Sequence, residues 1–376
     1  MLNTPMTRFV SRVSASLRLV APSTGLLVLC LGGCPFTPGG VGGTPLDESG
    51  NNTFATATEI TLPDEDQIEF TASIGSMKDA DIFNLGVFMP GDRLYIDVQT
   101  TSGNLDPLAA VFDQREYMLA FNDDRVPDAS NLNPLIDVIV HGTEGPCFLG
   151  VAPYPGGSST GDYRVTVRVT RNVGLLNPEP QIVHLNWVGG ASILIENVGV
   201  FDVDPFDAAD VGLSTDRTDE LKDEIQRVIA DRYEGFGLEL LNSDDDAVPS
   251  EPHSTVYFGG NSRNAFAIAE QIDTFNANQS DNAIIFTDGF DNAFAITPTL
   301  AQLATAIGNT AAHELGHLLG LVHTKDCKSL MDTTCGNDAL LYEQAFKLAP
   351  LDSSVFPIGL QNAAELIEWA IGLVGI

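Results

Sequence analysis

The chain is poor in basic residues, cysteines and histidines, and each scarcity narrows the class of protein. Lysine and arginine total 18 against 51 acidic residues, and the formal net charge of −33 repels nucleic acid and anionic lipid. Five cysteines in 376 residues are too few for a fold held together mainly by disulfide bonds. Histidine occurs only six times, so the three histidines within residues 313–323 form an unusually dense cluster of potential metal ligands.

The N-terminal segment is predicted to direct export. Residues 1–33 contain three arginines and no acidic residue, and residues 26–31 form the apolar run that a signal peptide requires. That run is too short for a helix that spans a bilayer. It ends in Leu-Gly-Gly-Cys, which resembles the lipobox of bacterial lipoproteins and implies that Cys34 carries a lipid after cleavage. A simple secretory signal with an incidental cysteine is the alternative, and both place the protein outside the cytoplasm.

Composition divides the remaining chain into two folded domains. Residues 34–50 are rich in glycine and proline, which predicts an extended tether. Residues 51–170 carry short runs of apolar residues with a period of two, which predicts an all-β sandwich. Residues 171–180 form a second linker, and residues 181–376 combine strand and helix patterns. The predicted fold class is therefore multidomain, with an all-β domain followed by an α+β domain.

Four short motifs of the first domain resemble a known module. They succeed one another in the order Asp79-Ala80-Asp81-Ile82-Phe83, Asn104-Leu105-Asp106-Pro107, Phe121-Asn122-Asp123-Asp124 and Gly161-Asp162-Tyr163. In this order they resemble the bacterial pre-peptidase C-terminal (PPC) domain, a jelly-roll-like sandwich attached to secreted peptidases. The resemblance covers about 120 residues and implies a role in secretion or in substrate binding.

Aspartates of these motifs have two interpretations. Asp79, Asp81, Asp123 and Asp124 supply the hard oxygen ligands that calcium takes in loops. Aspartates in β-turns also cap backbone amides. A calcium site and turn capping therefore both stand as hypotheses for this group.

The second domain is predicted to contain four strands and three helices. A periodic apolar pattern predicts that its longest helix begins with Thr297 as N-cap and Pro298 at the first position. His184 and His253 lie elsewhere in this domain, where a structural role and a second zinc site are the two alternatives. In chain order the predicted elements occupy residues 181–187, 221–233, 238–242, 254–258, 283–287, 297–319 and 361–371.

The histidine cluster begins on the longest helix and ends beyond it. His313 and His317 are four residues apart, so their imidazoles lie on one helix face, one turn apart. Gly320 falls where the helix should stop, and a left-handed glycine there turns the chain sharply. We expect this turn to bring His323 back as a third ligand.

Three neutral histidines and one open position form the ligand set of a catalytic zinc ion, which lowers the pKa of its bound water to about 7. Glu314 is not needed as a ligand, so we expect it to be the general base to that water and the later proton donor to the leaving amine. The predicted reaction is hydrolysis of an amide bond. The alternative is a set of unrelated surface or core histidines.

From His313 to His323 the sequence matches every specified position of the motif HExxHxxGxxH, and it therefore resembles the metzincin zinc metallopeptidases. The resemblance implies a twisted mixed sheet with an active-site helix, and an edge strand that pairs with an extended polypeptide substrate. Residues 283–290 are the candidate for that strand. The resemblance also implies a methionine turn beneath the metal, for which Met331 is the candidate, with core filling as the alternative. Matrixins usually follow this methionine with an aromatic residue and a proline, whereas Asp332 follows here, so the subfamily is left open.

The methionine loop is bracketed by two cysteines, Cys327 and Cys335. In an oxidising compartment a disulfide that closes so short a loop stabilises the fold by about 2–3 kcal/mol. We therefore predict that this bond stiffens the loop. Cys147 has the pattern of a buried strand residue and not that of a ligand.

Together these features predict an exported, lipid-anchored zinc endopeptidase of the metzincin type at the cell envelope or cell surface. Polypeptide is the expected substrate, zinc the expected cofactor, calcium a second candidate ion, and nucleic acid is not an expected partner. The alternative from another class is a non-catalytic surface binding or adhesion lipoprotein with a structural or vestigial zinc site, against which the intact Glu314 argues. A processing peptidase with one surface partner would differ only in its substrate.

Overall fold

The computed structural model describes residues 50–374, apart from residues 64–65, 126–130, 157, 197 and 263–264. The predicted signal peptide, the predicted lipidation site Cys34 and nearly all of the predicted tether lie outside the described residues. Within the described part of the chain, no helix is long and apolar enough to cross a membrane.

In the described residues of the first domain, nine strands form a sandwich of two sheets. One sheet has the order β1-β3-β8-β5-β6 and the other the order β2-β9-β4-β7, and all pairs are antiparallel except the short pair β1–β3. This confirms the predicted all-β sandwich. The strands are β1 (Thr58–Glu59), β2 (Gln67–Ile74), β3 (Asp81–Phe88), β4 (Arg93–Thr100), β5 (Pro107–Phe112), β6 (Met118–Asn122), β7 (Leu135–Ile139), β8 (Gly145–Pro153) and β9 (Gly161–Thr170).

The sandwich forms because alternate residues of its strands are apolar. Leu94, Ile96 and Val98 of β4 are fully buried, while the residues between them retain exposed surface. They share one core with Phe83 and Leu149 of the other sheet. The two sheets therefore pack face to face.

In the described residues of the second domain, a mixed sheet combines with three helices, which confirms the α+β prediction. Residues 171–180, which precede it, are exposed and contain no helix or strand. The elements are β10 (Gln181–Asn186), β11 (Gly190–Ile195), β12 (Gly199–Val203), α1 (Thr218–Arg232), β13 (Leu238–Asn242), β14 (Ser254–Phe258), β15 (Ala267–Ala269), β16 (Asn282–Ile285), α2 (Leu300–Leu318), β17 (Leu348–Pro350), β18 (Leu360–Asn362) and α3 (Ala363–Ile371). Single 3₁₀ turns lie at Phe54–Thr56, Ala208–Val211, Thr215–Arg217, Thr287–Phe290 and Asn337–Leu341.

The main sheet has the order β13-β10-β14-β16-β15, in which only the edge strand β15 runs antiparallel to its neighbour. Helices α1 and α2 pack on one face, and Gly308 allows them to approach closely, since a Cβ there would lie 2.6 Å from Val228 Cγ1. The hairpin β11–β12 packs on the other face. This arrangement buries most of α2 and leaves β15 beside its C-terminal half.

The two domains are in direct contact. The outer face of the β5–β8 sheet packs against the segment after α2, with Phe112 and Phe356 at a ring-centroid distance of 5.4 Å. Arg115 pairs with Glu365 at 3.0 Å, and Trp369 stacks on His141 at 5.1 Å. The sandwich domain therefore packs against residues that follow the histidine cluster in the sequence.

Candidate active site

Helix α2 presents the first two histidines and the glutamate of the motif. It begins two residues later than predicted, because Thr299 and Gln302 form a reciprocal capping box in which each side chain bonds the backbone N–H of the other. Thr297 and Pro298 precede this cap, so the predicted N-cap at Thr297 is wrong. The helical period from the true cap still places His313 and His317 one turn apart, as the sequence predicted.

The turn after α2 is a Schellman motif. The Gly320 N–H donates to the carbonyl of His317 at 2.9 Å, and the Leu321 N–H donates to the carbonyl of Gly316 at 2.8 Å. Gly320 has φ +92°, and a Cβ there would lie 2.9 Å from Thr274 Cα, so both backbone conformation and space require glycine. The turn returns the chain towards α2 and brings His323 beside the helix.

The three histidines converge on one point. His317 Nε2 lies 3.1 Å from Nε2 of His313 and 3.1 Å from Nε2 of His323. His313 Nδ1 lies 2.8 Å from the carbonyl of Leu330, and His317 Nδ1 lies 2.8 Å from that of Leu321. Because a carbonyl oxygen only accepts, both Nδ1 atoms carry the proton and both Nε2 atoms of the neutral rings carry a lone pair.

This geometry fits a zinc ion. Nitrogen ligands at about 2.0–2.1 Å from a tetrahedral zinc are about 3.3 Å apart, close to the observed spacing. Lone pairs that face one another at 3.1 Å repel unless a cation lies between them. Among the described residues, one other group brings three potential ligand atoms together, namely Cys327, Asp332 and Cys335. Its two sulfur atoms are bonded to each other.

Burial keeps the three histidines in the form that binds a metal. Burial and the neighbouring His313 and His323 hold the pKa of His317 well below its ordinary value. Burial and His313 lower the pKa of His323 to about 3, and burial lowers the pKa of His313, although both rings keep some exposed surface at the cleft. All three are therefore neutral at pH 7, as metal coordination requires.

Glu314 lies next to the histidines, and only 8 % of its surface is exposed. Burial raises the pKa of its carboxyl group to about 8, while a hydrogen bond from the Ala269 N–H opposes that rise. Ala269 ends β15, so the carboxylate is tied to the edge strand of the sheet. No feature of the sequence pointed to Ala269, because the bond depends on how the sheet and α2 pack.

The edge strand is β15, and the prediction of residues 283–290 for this role is wrong. Residues 282–285 form β16, which lies inside the sheet between β14 and β15, and a 3₁₀ turn follows it. Its apolar run is that of an interior strand buried on both faces. β15 pairs with it through the carbonyl of Phe266 and the N–H of Glu270, so backbone groups of Ala267 and Ala269 face away from the sheet.

Met331 lies against the floor of the site. Its side chain is fully buried, and its Sδ is 2.8 Å from the position that a Cβ on Gly316 would occupy. The preceding carbonyl, that of Leu330, is the one that fixes His313. Cys327 and Cys335 form a disulfide that closes the loop containing Met331. The methionine loop thus positions one histidine through its backbone and supports α2 through its side chain.

Other residues singled out in the sequence lie away from this centre. Buried His184 has an Nε2 atom without a hydrogen-bond partner, and its ring centroid is 6.2 Å from that of His253. Cys147 is buried in the sandwich, where burial raises the pKa of its thiol to about 12. Asp79 accepts a hydrogen bond from the Gly75 N–H at 2.7 Å, which is a turn-capping contact.

The remaining aspartates of that group make other contacts. Asp81 accepts a hydrogen bond from the Tyr163 hydroxyl at 2.6 Å, and Asp123 accepts one from the Asp124 N–H at 2.9 Å. Among the described residues these carboxylates do not form a group of three converging ligand atoms. Calcium binding here stays a prediction.

Comparison with known proteins identifies the fold family of the histidine-bearing domain. Residues 252–354, which run from β14 to beyond β17 and include the whole motif, match the family model described as Matrixin. The second domain is a zinc metallopeptidase domain of the metzincin type. The matched residues include Asp332, which follows Met331 at the position where matrixins usually have an aromatic residue. This departure from the usual matrixin sequence therefore does not prevent the match to the family model. Among curated protein sequences the chain has no match.

Several solved structures are similar to parts of the chain. The PPC domain of a collagenase from Bacillus anthracis is 17% identical, with 30% of this chain and 94% of that chain covered and a TM-score of 0.21. A zinc-dependent peptidase from Methanocorpusculum labreanum is 14% identical, with 43% and 93% covered and a TM-score of 0.26. Archaemetzincin from Methanopyrus kandleri is 10% identical, with 50% and 94% covered and a TM-score of 0.27.

Proposed function

We propose that the protein is an exported endopeptidase in which His313, His317 and His323 hold a catalytic zinc ion and Glu314 is the general base. The observation that carries the proposal is the convergence of three Nε2 atoms beside a buried carboxyl group. When bound, zinc supplies a Lewis acid that acidifies a water molecule and polarises the scissile carbonyl group.

Glu314 moves the proton in this proposal. Its carboxylate takes a proton from the attacking water and later gives it to the nitrogen of the leaving amine. Burial raises the pKa of Glu314 to about 8, and the positive charge of a bound zinc ion would lower it towards neutrality, where the group can accept a proton and release it again. The hydrogen bond from Ala269 holds the carboxylate between α2 and the edge strand.

The substrate in this proposal is an extended polypeptide that adds to β15. Strand addition requires an exposed edge with backbone donors and acceptors directed outward. The outward N–H and carbonyl groups of Ala267 and the outward carbonyl group of Ala269 meet this requirement, while the Ala269 N–H is used by Glu314. Because Ala269 also bonds Glu314, a peptide paired with β15 lies next to the base.

The cellular location is the extracytoplasmic side of a membrane, with Cys34 as the lipid-bearing residue. The motif ending in Cys34 and the arginine-rich leader support this part of the proposal. It predicts that the full chain is recovered in the membrane fraction and that Cys34→Ser moves it to the soluble exported fraction. Equal recovery of both forms in the soluble fraction would contradict the anchor.

The test of the activity is hydrolysis of casein by the zinc-loaded protein. We expect cleavage that stops when a chelator removes the metal and returns when zinc is added. Glu314→Ala should keep the zinc content of the wild type and lose the activity. A wild-type protein that holds zinc but cleaves neither casein nor a broad peptide library would favour a binding role over catalysis.

A further inference from the structure

The loop that carries His323 is held by one buried side chain. Gln361 is fully buried, as is Val322, the residue immediately before His323. Oε1 of Gln361 accepts a hydrogen bond from the Val322 N–H at 2.8 Å, and its Nε2 donates one to the Val322 carbonyl at 2.9 Å. A side-chain amide thus satisfies both backbone groups of Val322, as a strand partner would.

Gln361 is held in turn by the sandwich domain. It lies in β18, opposite Ala349 of β17. The preceding residue, Leu360, donates its N–H to the carbonyl of Glu116 at 3.0 Å and forms a parallel bridge with Tyr117. Both sandwich residues lie in the turn between β5 and β6. The contacts therefore run from the sandwich through Leu360 and Gln361 to Val322.

Apolar packing makes this connection rigid. Val322 and Phe356 belong to a buried cluster with sandwich residues that include Ile82 and Phe112. Gly359, next to Leu360, has φ +100°, and a Cβ there would lie 2.4 Å from Phe112 Cε1. The two domains touch without spare space at the point where β18 begins, so a displacement of the sandwich surface displaces β18 as well.

We propose that Gln361 is a positioning residue for His323 and that the sandwich domain, which holds Gln361, is a structural part of the zinc site. The inference rests on the ligand role of His323 proposed above. Without the amide of Gln361, both backbone groups of Val322 are buried without partners, and the loop must move to satisfy them. Groups that orient metal ligands typically change metal affinity 10–100-fold when they are removed.

The first test compares two buried glutamines in the zinc-binding full chain. Gln361→Met keeps the approximate shape of the side chain and removes both hydrogen bonds. We expect its dissociation constant for zinc, measured by chelator competition, to rise about 10–100-fold. The visible absorption spectrum of the cobalt-substituted protein should change, because a displaced His323 alters the ligand geometry. Gln181→Met is the control, since Gln181 is equally buried but bonds Ser254 of β14 and Asn276 and Gln279 of the segment before β16, and not the loop of His323.

The second test addresses the sandwich through two glycines. Gly359→Ala places a methyl group against Phe112, whereas Gly235→Ala introduces similar backbone strain, at φ +89°, into open space. We expect Gly359→Ala to weaken zinc binding by about tenfold or more and Gly235→Ala to stay within about twofold of the wild type.

Gln361→Glu keeps the acceptor for the Val322 N–H and should bind zinc with an affinity between those of the wild type and Gln361→Met.

The outcomes separate this inference from the proposed function. A wild type that binds no zinc would overturn both, because His323 would then not be a ligand. A wild type that binds zinc, together with Gln361→Glu and Gly359→Ala proteins that bind it equally well, would overturn only the role of Gln361 and the sandwich. If Gln361→Met does not fold, the glutamate and glycine variants still decide the matter.

Discussion

Replacing Gly316 by alanine should destabilise the catalytic domain, although glycine is a poor helix former. Alanine is about 1 kcal/mol better than glycine inside a helix, so a helix viewed alone would gain stability. In the structure, however, the new Cβ would lie 2.8 Å from Met331 Sδ and 3.3 Å from Leu321 Cδ1. The sign of the effect depends on whether the sulfur atom can move.

The packing around Met331 indicates that the clash outweighs the gain. Ordinary contact between such atoms is about 3.5–4.0 Å, so the sulfur must shift by about 1 Å. Met331 is fully buried, and overpacking of a filled core costs about 1–3 kcal/mol. After the helix gain is subtracted, we expect a net loss of up to about 2 kcal/mol. Because Leu330 precedes Met331 and fixes His313, the zinc affinity should fall as well.

A double-mutant cycle measures this clash directly. We would follow urea unfolding of wild type, Gly316→Ala, Met331→Ala and the double variant, with zinc in excess. Gly316→Ala should destabilise the wild type but stabilise the Met331→Ala background by up to about 1 kcal/mol, because the sulfur is then absent. If Gly316→Ala stabilises both backgrounds equally and leaves zinc affinity unchanged, Met331 does not support the helix as described.

Two further predictions concern stability. Burial raises the pKa of Asp281 well above its ordinary value, and nearby Asp273 adds to the rise. The protonated carboxyl group therefore contributes its full stability below about pH 4, and this stability is lost as the pH rises through the pKa of the folded state. Asp281→Asn should therefore gain about 1–3 kcal/mol at pH 8 and almost nothing at pH 4 in urea unfolding, and an equal gain at both would refute the assignment. Replacement of Cys327 and Cys335 by serine should cost about 2–3 kcal/mol, because the disulfide closes a short loop, and wild-type stability in the serine variant would contradict this.

The sequence predicted those parts of the site that depend on local geometry. The spacing of His313 and His317 follows from the period of one helix, and the position of Gly320 follows from the way helices end. The return of His323 follows from that turn. Because each step involves only a few consecutive residues, the pattern is visible without knowledge of the rest of the fold.

The parts that depend on tertiary pairing were missed or placed wrongly. β15 is only Ala-Ile-Ala, which has no period to detect, whereas the longer apolar run at 283–286 attracted the prediction of an edge strand. Gln361 was expected to begin the last helix but lies in β18, and α3 begins at Ala363. Its role depends on Val322, which is distant in sequence. No local pattern distinguishes a glutamine that begins a helix from one that completes a neighbouring loop.

The contribution of the base is measured most directly by the turnover of Glu314→Gln at a zinc content equal to that of the wild type. Glutamine keeps the shape of the side chain and cannot take a proton from water, so kcat should fall by about 10²–10⁴-fold while zinc binding is unchanged. A variant with full zinc content and a kcat within about threefold of the wild type would show that Glu314 is not the base, and the proposed mechanism would fail.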